Sequence, residues 1–328
     1  MIQSYNENKG KQKPYSVVIP VAKKDAKFVS TVVKFVFHNM CEVDHIYLIT
    51  KFGLFERIER NLQENRNKCT LVDEDKLTPG LSYDFVKQCL LAHPHTNVNS
   101  TGWYLQQFLK FAFALSEYCG EYYLTWDSDT LPISKLFFFQ DGQPLFTAKK
   151  EYHKPYFETL ERLIGLKKTA PYSFIAEHVM FRKDFVLELI EEINNSKVEG
   201  ENWVEKIINA CDFQEDGGPY FSEFETYGTF CTVKHPGYYG IQHLNTFRSA
   251  AAIRGRHIND YVIEKLAADV DIASFEIHDE RFPHDIERRK WVMINRINRL
   301  KSVSAGEGIR LIIKKLKKKM TGKRKEMV

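Results

Sequence analysis

Short apolar runs and longer amphipathic stretches follow one another along the first half of the chain. Tyr15–Pro20 is an apolar run stopped by a proline and predicts a first strand. Residues 25–40 place Phe28, Val32, Phe35 and Val36 at helical spacing, with Asp25 read as the N-cap. Residues 45–50 predict a second strand, 54–65 a helix and 69–72 a third strand, which leads into the acidic Asp73, Glu74 and Asp75. A polar loop at 93–100 feeds a helix that begins at Thr101 and continues to Gly120. Tyr122–Trp126, aromatic and apolar, reads as a buried strand, and Pro132 closes the segment. Further on, residues 140–143 (QDGQ) form a turn before a returning strand at 144–148, and 156–166 is helical. Residues 173–181 read as a strand, while 183–195 and Trp203–Ala210 read as helices. Ser222-x-x-Glu225 has the spacing of a capping box. Residues 235–248 read as loop or short strand, and the pattern turns helical and charged from Ile258 onward. Strands alternating with helices predict an α/β fold with an open, mostly parallel sheet.

Candidate chemistry gathers where the strand before residue 127 ends. At a side-chain period of two, Asp127 and Asp129 project to one face and Ser128 to the other. Adjacent carboxylates repel unless a cation lies between them. Mg²⁺ or Mn²⁺ suits such a pair, completing its shell with substrate phosphates. The expected chemistry is therefore a metal-bridged diphosphate at the C-terminal edge of the sheet, where α/β proteins bind ligands. The rival is a pair of solvated aspartates in a turn. On the preceding helix Trp103, Gln106, Gln107 and Lys110 share one polar stripe, and a loop entering a helix N-terminus is a natural anion site. Lys23, Lys24, Asp25, Thr50, Lys51 and Asp73 follow strands and are expected along the same edge. Glu177 and His178, adjacent in a strand, face opposite sides, so at most one points into a cleft. Glu225 has a structural role ready in the capping box, which frees Glu223 for the cleft, although either carboxylate suits a reactive role.

Composition narrows the class. The 328 residues suffice for one large domain with an appendage or for two modest ones, and 43% hydrophobic content supports a packed core. Six cysteines without a C-x-x-C pair argue against a zinc site or a disulfide framework and point to reduced thiols in the cytoplasm. Residues 1–14 are polar and lack the apolar core of a secretory signal, and no run approaches the roughly 18 apolar residues of a spanning helix. The net charge of +4 hides an asymmetry: residues 310–328 carry nine Lys or Arg against the single Glu326. With Ile309, Leu311, Ile312, Ile313 and Leu316 on one face, this tail reads as a basic amphipathic helix suited to an anionic membrane.

The segments TGWYLQQFLKF, YLTWDSDTLP, SFIAEHVMF and FSEFETYGTF, in this order, resemble bacterial DxD-containing glycosyltransferases of the GT-A type. More narrowly they resemble a group found with capsule, lipopolysaccharide and exopolysaccharide genes, over about residues 16–248. The resemblance implies a nucleotide-diphospho-sugar-binding, Rossmann-like sheet with Asp127 and Asp129 holding Mn²⁺ or Mg²⁺ on the donor diphosphate. Lys23, Asp25, Gly102, Trp103, Gln106, Gln107 and Lys110 are expected on the donor side. Glu177, His178, Glu223 and Glu225 are expected on the sugar and acceptor side, with Glu223 or Glu225 as general base. A further histidine ligand would be His235, His243, His257 or His278. The expected division is a GT-A domain at 1–255 and a helical extension with the basic tail at 256–328. The implied activity is metal-dependent transfer from a nucleotide sugar to a glycan or polyprenyl-linked glycan, with no nucleic-acid partner. The implied location is the inner face of the plasma membrane. The rivals are a catalytically silent carbohydrate-binding protein on the same fold and a nucleotidyltransferase. The latter needs a Gly-rich triphosphate loop after the first strand, and VIPVAKKDAK has no glycine.

Overall fold

A computed structural model describes residues 12–214, 218–256, 258–277, 279 and 293–294. Its first half runs β1 (Tyr15–Pro20), α1 (Val29–Asn39), β2 (Val43–Thr50), α2 (Phe55–Leu62), β3 (Cys69–Asp73), α3 (Tyr83–Leu91), α4 (Thr101–Ala112) and β4 (Tyr122–Trp126). Three short strands follow, β5 (Thr130–Pro132), β6 (Phe139–Gln140) and β7 (Gln143–Thr147), then α5 (Lys154–Ile164) and β8 (His178–Arg182). The chain continues through α6 (Lys183–Asn194), α7 (Trp203–Ala210), α8 (Glu223–Lys234), β9 (Gly240–Gln242) and β10 (Thr246–Phe247). It closes with α9 (Ala250–Arg254), α10 (Asp260–Leu266) and β11 (Ile272–Ser274).

The fold is mixed α/β. Its central sheet has the order β3-β2-β1-β4-β8, parallel through β4 and antiparallel at β8. Every residue of β1 is buried, as expected of a central strand covered on both faces. Val17 and Ile19 join a core layer with Val29, Val32, Val33 and Val36 of α1. Val18, one residue out of phase, joins the opposite layer with Phe108 and Phe111 of α4 and Tyr227 of α8. The chain runs from β1 outward to β2 and β3 and then crosses back to β4 on the other side. The crevice between the ends of β1 and β4 is thus a topological switch point.

Several expected boundaries shift. α4 stops at Ala112, and a 3₁₀ turn at Phe113–Leu115 replaces the stretch expected to reach Gly120. The cause is Ser116, whose N–H and hydroxyl both donate to the Phe113 carbonyl, at 3.1 and 2.8 Å. The strand expected over 173–181 begins only at His178. Asp25 does not cap α1 through its side chain: its carbonyl accepts the Phe28 and Val29 N–H groups, and its carboxylate turns into the crevice. The 140–143 turn forms as expected, with positive φ at Asp141 (53°) and Gly142 (82°) suiting a type I′ hairpin. β11 pairs antiparallel with β5, so chain beyond residue 255 completes the same body. His257, His278 and the basic tail lie outside the described residues. Among the described residues no helix is long and apolar enough to cross a membrane.

Candidate functional site

Asp127, Ser128 and Asp129 leave β4 in a turn tied down on every side. The Asp127 N–H donates to the Glu177 carbonyl at 3.1 Å, Trp126 Nε1 donates to the Thr130 carbonyl at 2.8 Å, and the Phe275 N–H donates to the Asp129 carbonyl at 2.8 Å. Because β8 is antiparallel, its first residues stand at the same sheet edge as the last residues of β4. The cleft above this edge has a volume of about 580 Å³ and is lined by Asp25, Trp103, Gln106, Gln107, Lys110, Asp127, Asp129, Glu177 and Glu223. Nine of the residues expected from sequence therefore meet in one place.

Lys110 is the buried centre of this arrangement, only 4% exposed. Its Nζ lies 2.8 Å from Glu223 Oε1 and 3.1 Å from Asp127 Oδ1, and sits over the Phe224 ring. Burial pulls the ammonium pKa down, but the two carboxylates outweigh it and hold Lys110 above the ordinary lysine range. Burial pushes Glu223 up and Lys110 opposes that shift. Glu223 is set at the start of α8, where Ser222 Oγ accepts the Glu225 N–H and Gln107 Oε1 accepts the Glu223 N–H.

On the other side of the turn, Ser128 donates to Asp25 Oδ2 at 3.2 Å, and Arg256 Nη2 lies 2.6 Å from Asp25 Oδ1 but 3.9 Å from Asp129 Oδ2. Burial, then Asp127, Asp25 and Glu276, push Asp129 up to about 7. Among the described residues no set of three or more His, Cys, Asp or Glu is spaced to hold a metal. Asp127 and Asp129 nevertheless fit a hard divalent ion: both are oxygen donors, Mg²⁺ sites commonly use only one or two carboxylates, and a cation would relieve the crowding at Asp129. No histidine joins them among the described residues. His235 pairs with Glu188 at 2.8 Å and stacks on Phe185 at the far end of α8, and His243 does not line the cleft.

Four expected site residues lie elsewhere or act otherwise. His178 points to the opposite side of the sheet from Glu177, as the period of two requires. There it stacks on Trp126 with ring centroids 5.0 Å apart, and Nε2 bonds Thr147 Oγ1 at 2.8 Å. Burial pulls its pKa down to about 3, so it is a neutral core residue. Glu225 is buried beneath the cleft, bonded by Lys168 at 2.9 Å, by the Phe174 N–H at 3.2 Å and by the Ser173 hydroxyl. Its carboxylate ties the 168–174 segment to α8 instead of acting in the cleft. Gly102 and Lys23 line a second cavity of about 600 Å³ at the ends of β1, β2 and β3, and Gln106 faces both cavities.

Glu177 does face the cleft. Its Oε1 lies 3.6 Å from Arg248 Nε, its Oε2 is buried with no hydrogen-bond partner among the described residues, and burial raises its pKa. The cleft also holds Glu151, Tyr156, Arg248 and Glu276, and the second cavity holds Glu74, none of which sequence reasoning selected. Glu74 had a signal: Asp73 pairs with Thr50 as the last residue of β3, so the next residue is the one at the sheet edge. Arg248 and Glu276 had none, because distant segments bring them in. Burial pushes Glu74 up to about 7, and Lys51 lies 3.9 Å from its carboxylate.

Residues 20–247 match the family model described as "Family of unknown function (DUF6492)". No curated protein sequence matches the chain. Several solved structures are similar in backbone course. Galactosyltransferase LgtC in complex with donor and acceptor sugar analogues is 12% identical with a TM-score of 0.41, covering 79% of this chain and 86% of that one. Mouse xyloside xylosyltransferase 1 is 10% identical with a TM-score of 0.41, covering 80% and 97%. The glycosyltransferase GlyE of Streptococcus pneumoniae TIGR4 is 11% identical with a TM-score of 0.39, covering 87% and 64%. Likenesses this distant transfer no activity, and the functional weight falls on the cleft itself.

Proposed function

The chain belongs to the DUF6492 family, and we propose that it is a metal-dependent glycosyltransferase moving a sugar from a nucleotide-diphosphate donor to a surface-polysaccharide or lipid-linked glycan. The observation that carries this reading is the meeting of Asp127 and Asp129, at the end of β4 and at the switch point, with Lys110, Gln106 and Gln107 in one cleft. Breaking an anomeric C–O bond leaves negative charge on the departing diphosphate, and a Mg²⁺ or Mn²⁺ held by Asp127 and Asp129 supplies its stabilisation. Lys24 faces the same space, and Gln107 Nε2 is a buried donor with no hydrogen-bond partner among the described residues, available to a donor oxygen. Glu151, Tyr156, Glu177 and Arg248 supply hydrogen-bonding groups for the sugar and acceptor. In a transfer with inversion the acceptor hydroxyl must give up its proton. Glu223 is committed to Lys110, whereas Glu177 Oε2 has no hydrogen-bond partner among the described residues, so Glu177 rather than Glu223 or Glu225 takes that proton.

A panel of nucleotide sugars tests this reading through Mn²⁺-dependent thermal stabilisation and slow donor hydrolysis. At least one donor should show both effects, and only with metal present. Stabilisation by free sugars without nucleotide or metal would instead identify a silent binding protein. Pyrophosphate release from a nucleoside triphosphate would identify a nucleotidyltransferase. The membrane role of the basic tail belongs to the same reading, since a lipid-linked acceptor is presented at the membrane surface. Co-sedimentation with anionic vesicles, weakening as salt rises, checks it.

A further inference from the structure

We propose that the second cavity reads a guanine base, so that the donor is a guanosine-diphosphate sugar; this inference rests on the glycosyltransferase assignment. The cavity lies at the ends of β1, β2 and β3, and Gln106 borders both it and the cleft that holds Asp127 and Asp129. One ligand can therefore place its diphosphate in the cleft and its base in the cavity. Val21, Ile49, Leu54, Leu105, Leu109 and the Tyr83 ring give it apolar walls suited to the faces of a flat ring. Inside stands Glu74, only 8% exposed. Its nearest cation, Lys51, lies 3.9 Å away, beyond hydrogen-bonding distance, and among the described residues no donor hydrogen-bonds its carboxylate. A nearly buried carboxylate left this way is costly, and donors on a ligand offset that cost.

The geometry of a carboxylate selects the base. Its two oxygens accept side by side, so the matching edge carries two adjacent N–H donors. Guanine has that edge in N1–H and the exocyclic amino group. Uracil and thymine offer one N–H between two carbonyl oxygens, which face a carboxylate unfavourably. Cytosine and adenine set their amino group beside a ring acceptor. Lys51 completes the match, since its ammonium, poised beside Glu74 and 4.9 Å from the Tyr83 ring centroid, can donate to guanine O6.

Calorimetric titration of the full-length protein with GDP, UDP, CDP and ADP at saturating Mn²⁺ tests the assignment. GDP should bind about ten- to a hundredfold more tightly than the others, as a matched bidentate contact commonly discriminates. Glu74→Gln should erase most of that preference, because its amide sets an N–H against a guanine donor. Lys51→Ala, at a half-exposed side chain, should weaken GDP alone. UDP, CDP or ADP binding as tightly as GDP in the wild-type protein would overturn the guanine assignment and leave the glycosyltransferase reading standing. A Glu74→Gln protein that keeps the full preference for GDP would overturn it as well. Failure of all four nucleotides to bind would overturn both.

Discussion

Replacing Lys110 with methionine keeps most of the side-chain volume and removes the charge that two carboxylates share. Asp127 is 29% exposed at its side chain and can turn to solvent, but Glu223, at 5%, cannot. The cost therefore concentrates on Glu223, which must either stay charged and unpaired or take up a proton to remain buried. Protonating an ordinary glutamate at pH 7 costs roughly 1.4 kcal/mol for each unit between its usual pKa of about 4.3 and the solution pH, which sets a ceiling near ~4 kcal/mol. Breaking a buried ion pair from one side typically costs about 3–5 kcal/mol, so a loss of about 3–4 kcal/mol is expected at pH 7. The sign with pH follows. The folded variant holds a proton on Glu223 that the unfolded chain releases above its ordinary pKa, so the deficit shrinks as pH falls from 7 toward 5. Urea denaturation at pH 5, 6 and 7 measures it, and adding Glu223→Gln should recover about 2–3 kcal/mol through the pairwise coupling. A loss below about 1 kcal/mol, a pH-independent loss, or additive single substitutions would refute the reasoning.

Three further outcomes are expected. Glu177→Gln should lower turnover by about 10²–10⁴ with little loss of stability, since it removes a buried, partly unpaired acid; steady-state kinetics alongside urea melts checks both halves. Glu225→Gln should act on stability first, by about 1.5–3 kcal/mol, because it weakens the charged bonds to Lys168 and the Phe174 N–H; a donor affinity lost at unchanged melting temperature would contradict this. His178, with its folded pKa pulled from 6.5 to about 3, binds its proton only in the unfolded chain between those values. It therefore contributes stability above pH 6.5 that is lost as pH falls, by about 1.4 kcal/mol per unit, and His178→Asn should flatten the acid limb of a pH–stability curve by that slope.

The sheet was readable because its signals are local. Apolar runs marked β1, β2, β3 and β4, and the stripe of Trp103, Gln106, Gln107 and Lys110 needed only the helical period to be seen. The carboxylate pair after β4 was visible for the same reason. What escaped depends on partners far along the chain. Asp25 reads locally as a helix cap, yet Arg256 holds its side chain from 231 positions away. Glu225 sits where a capping box would place it, but packing of the 168–174 segment offers its carboxylate better donors than the Ser222 backbone. Glu177 and His178 are indistinguishable in sequence, and only the antiparallel pairing of His178 with Trp126 decides which of them reaches the cleft. α3 went unread although Ser82 caps it and Asp84, Lys87 and Gln88 form an exposed face opposite the buried Val86 and Leu90.

The central claim is that Asp127 and Asp129 hold a divalent ion on the diphosphate of a nucleotide sugar. Calorimetry of the best-binding nucleotide sugar, with and without Mn²⁺, on the wild-type protein and on Asp129→Asn tests it most directly. The expected result is binding to the wild-type protein that requires the metal, and no metal-dependent binding to a folded Asp129→Asn protein, because an amide is a far weaker ligand for a hard cation. Equal metal-dependent affinity in the two proteins, or full wild-type affinity in the presence of a chelator, would contradict it.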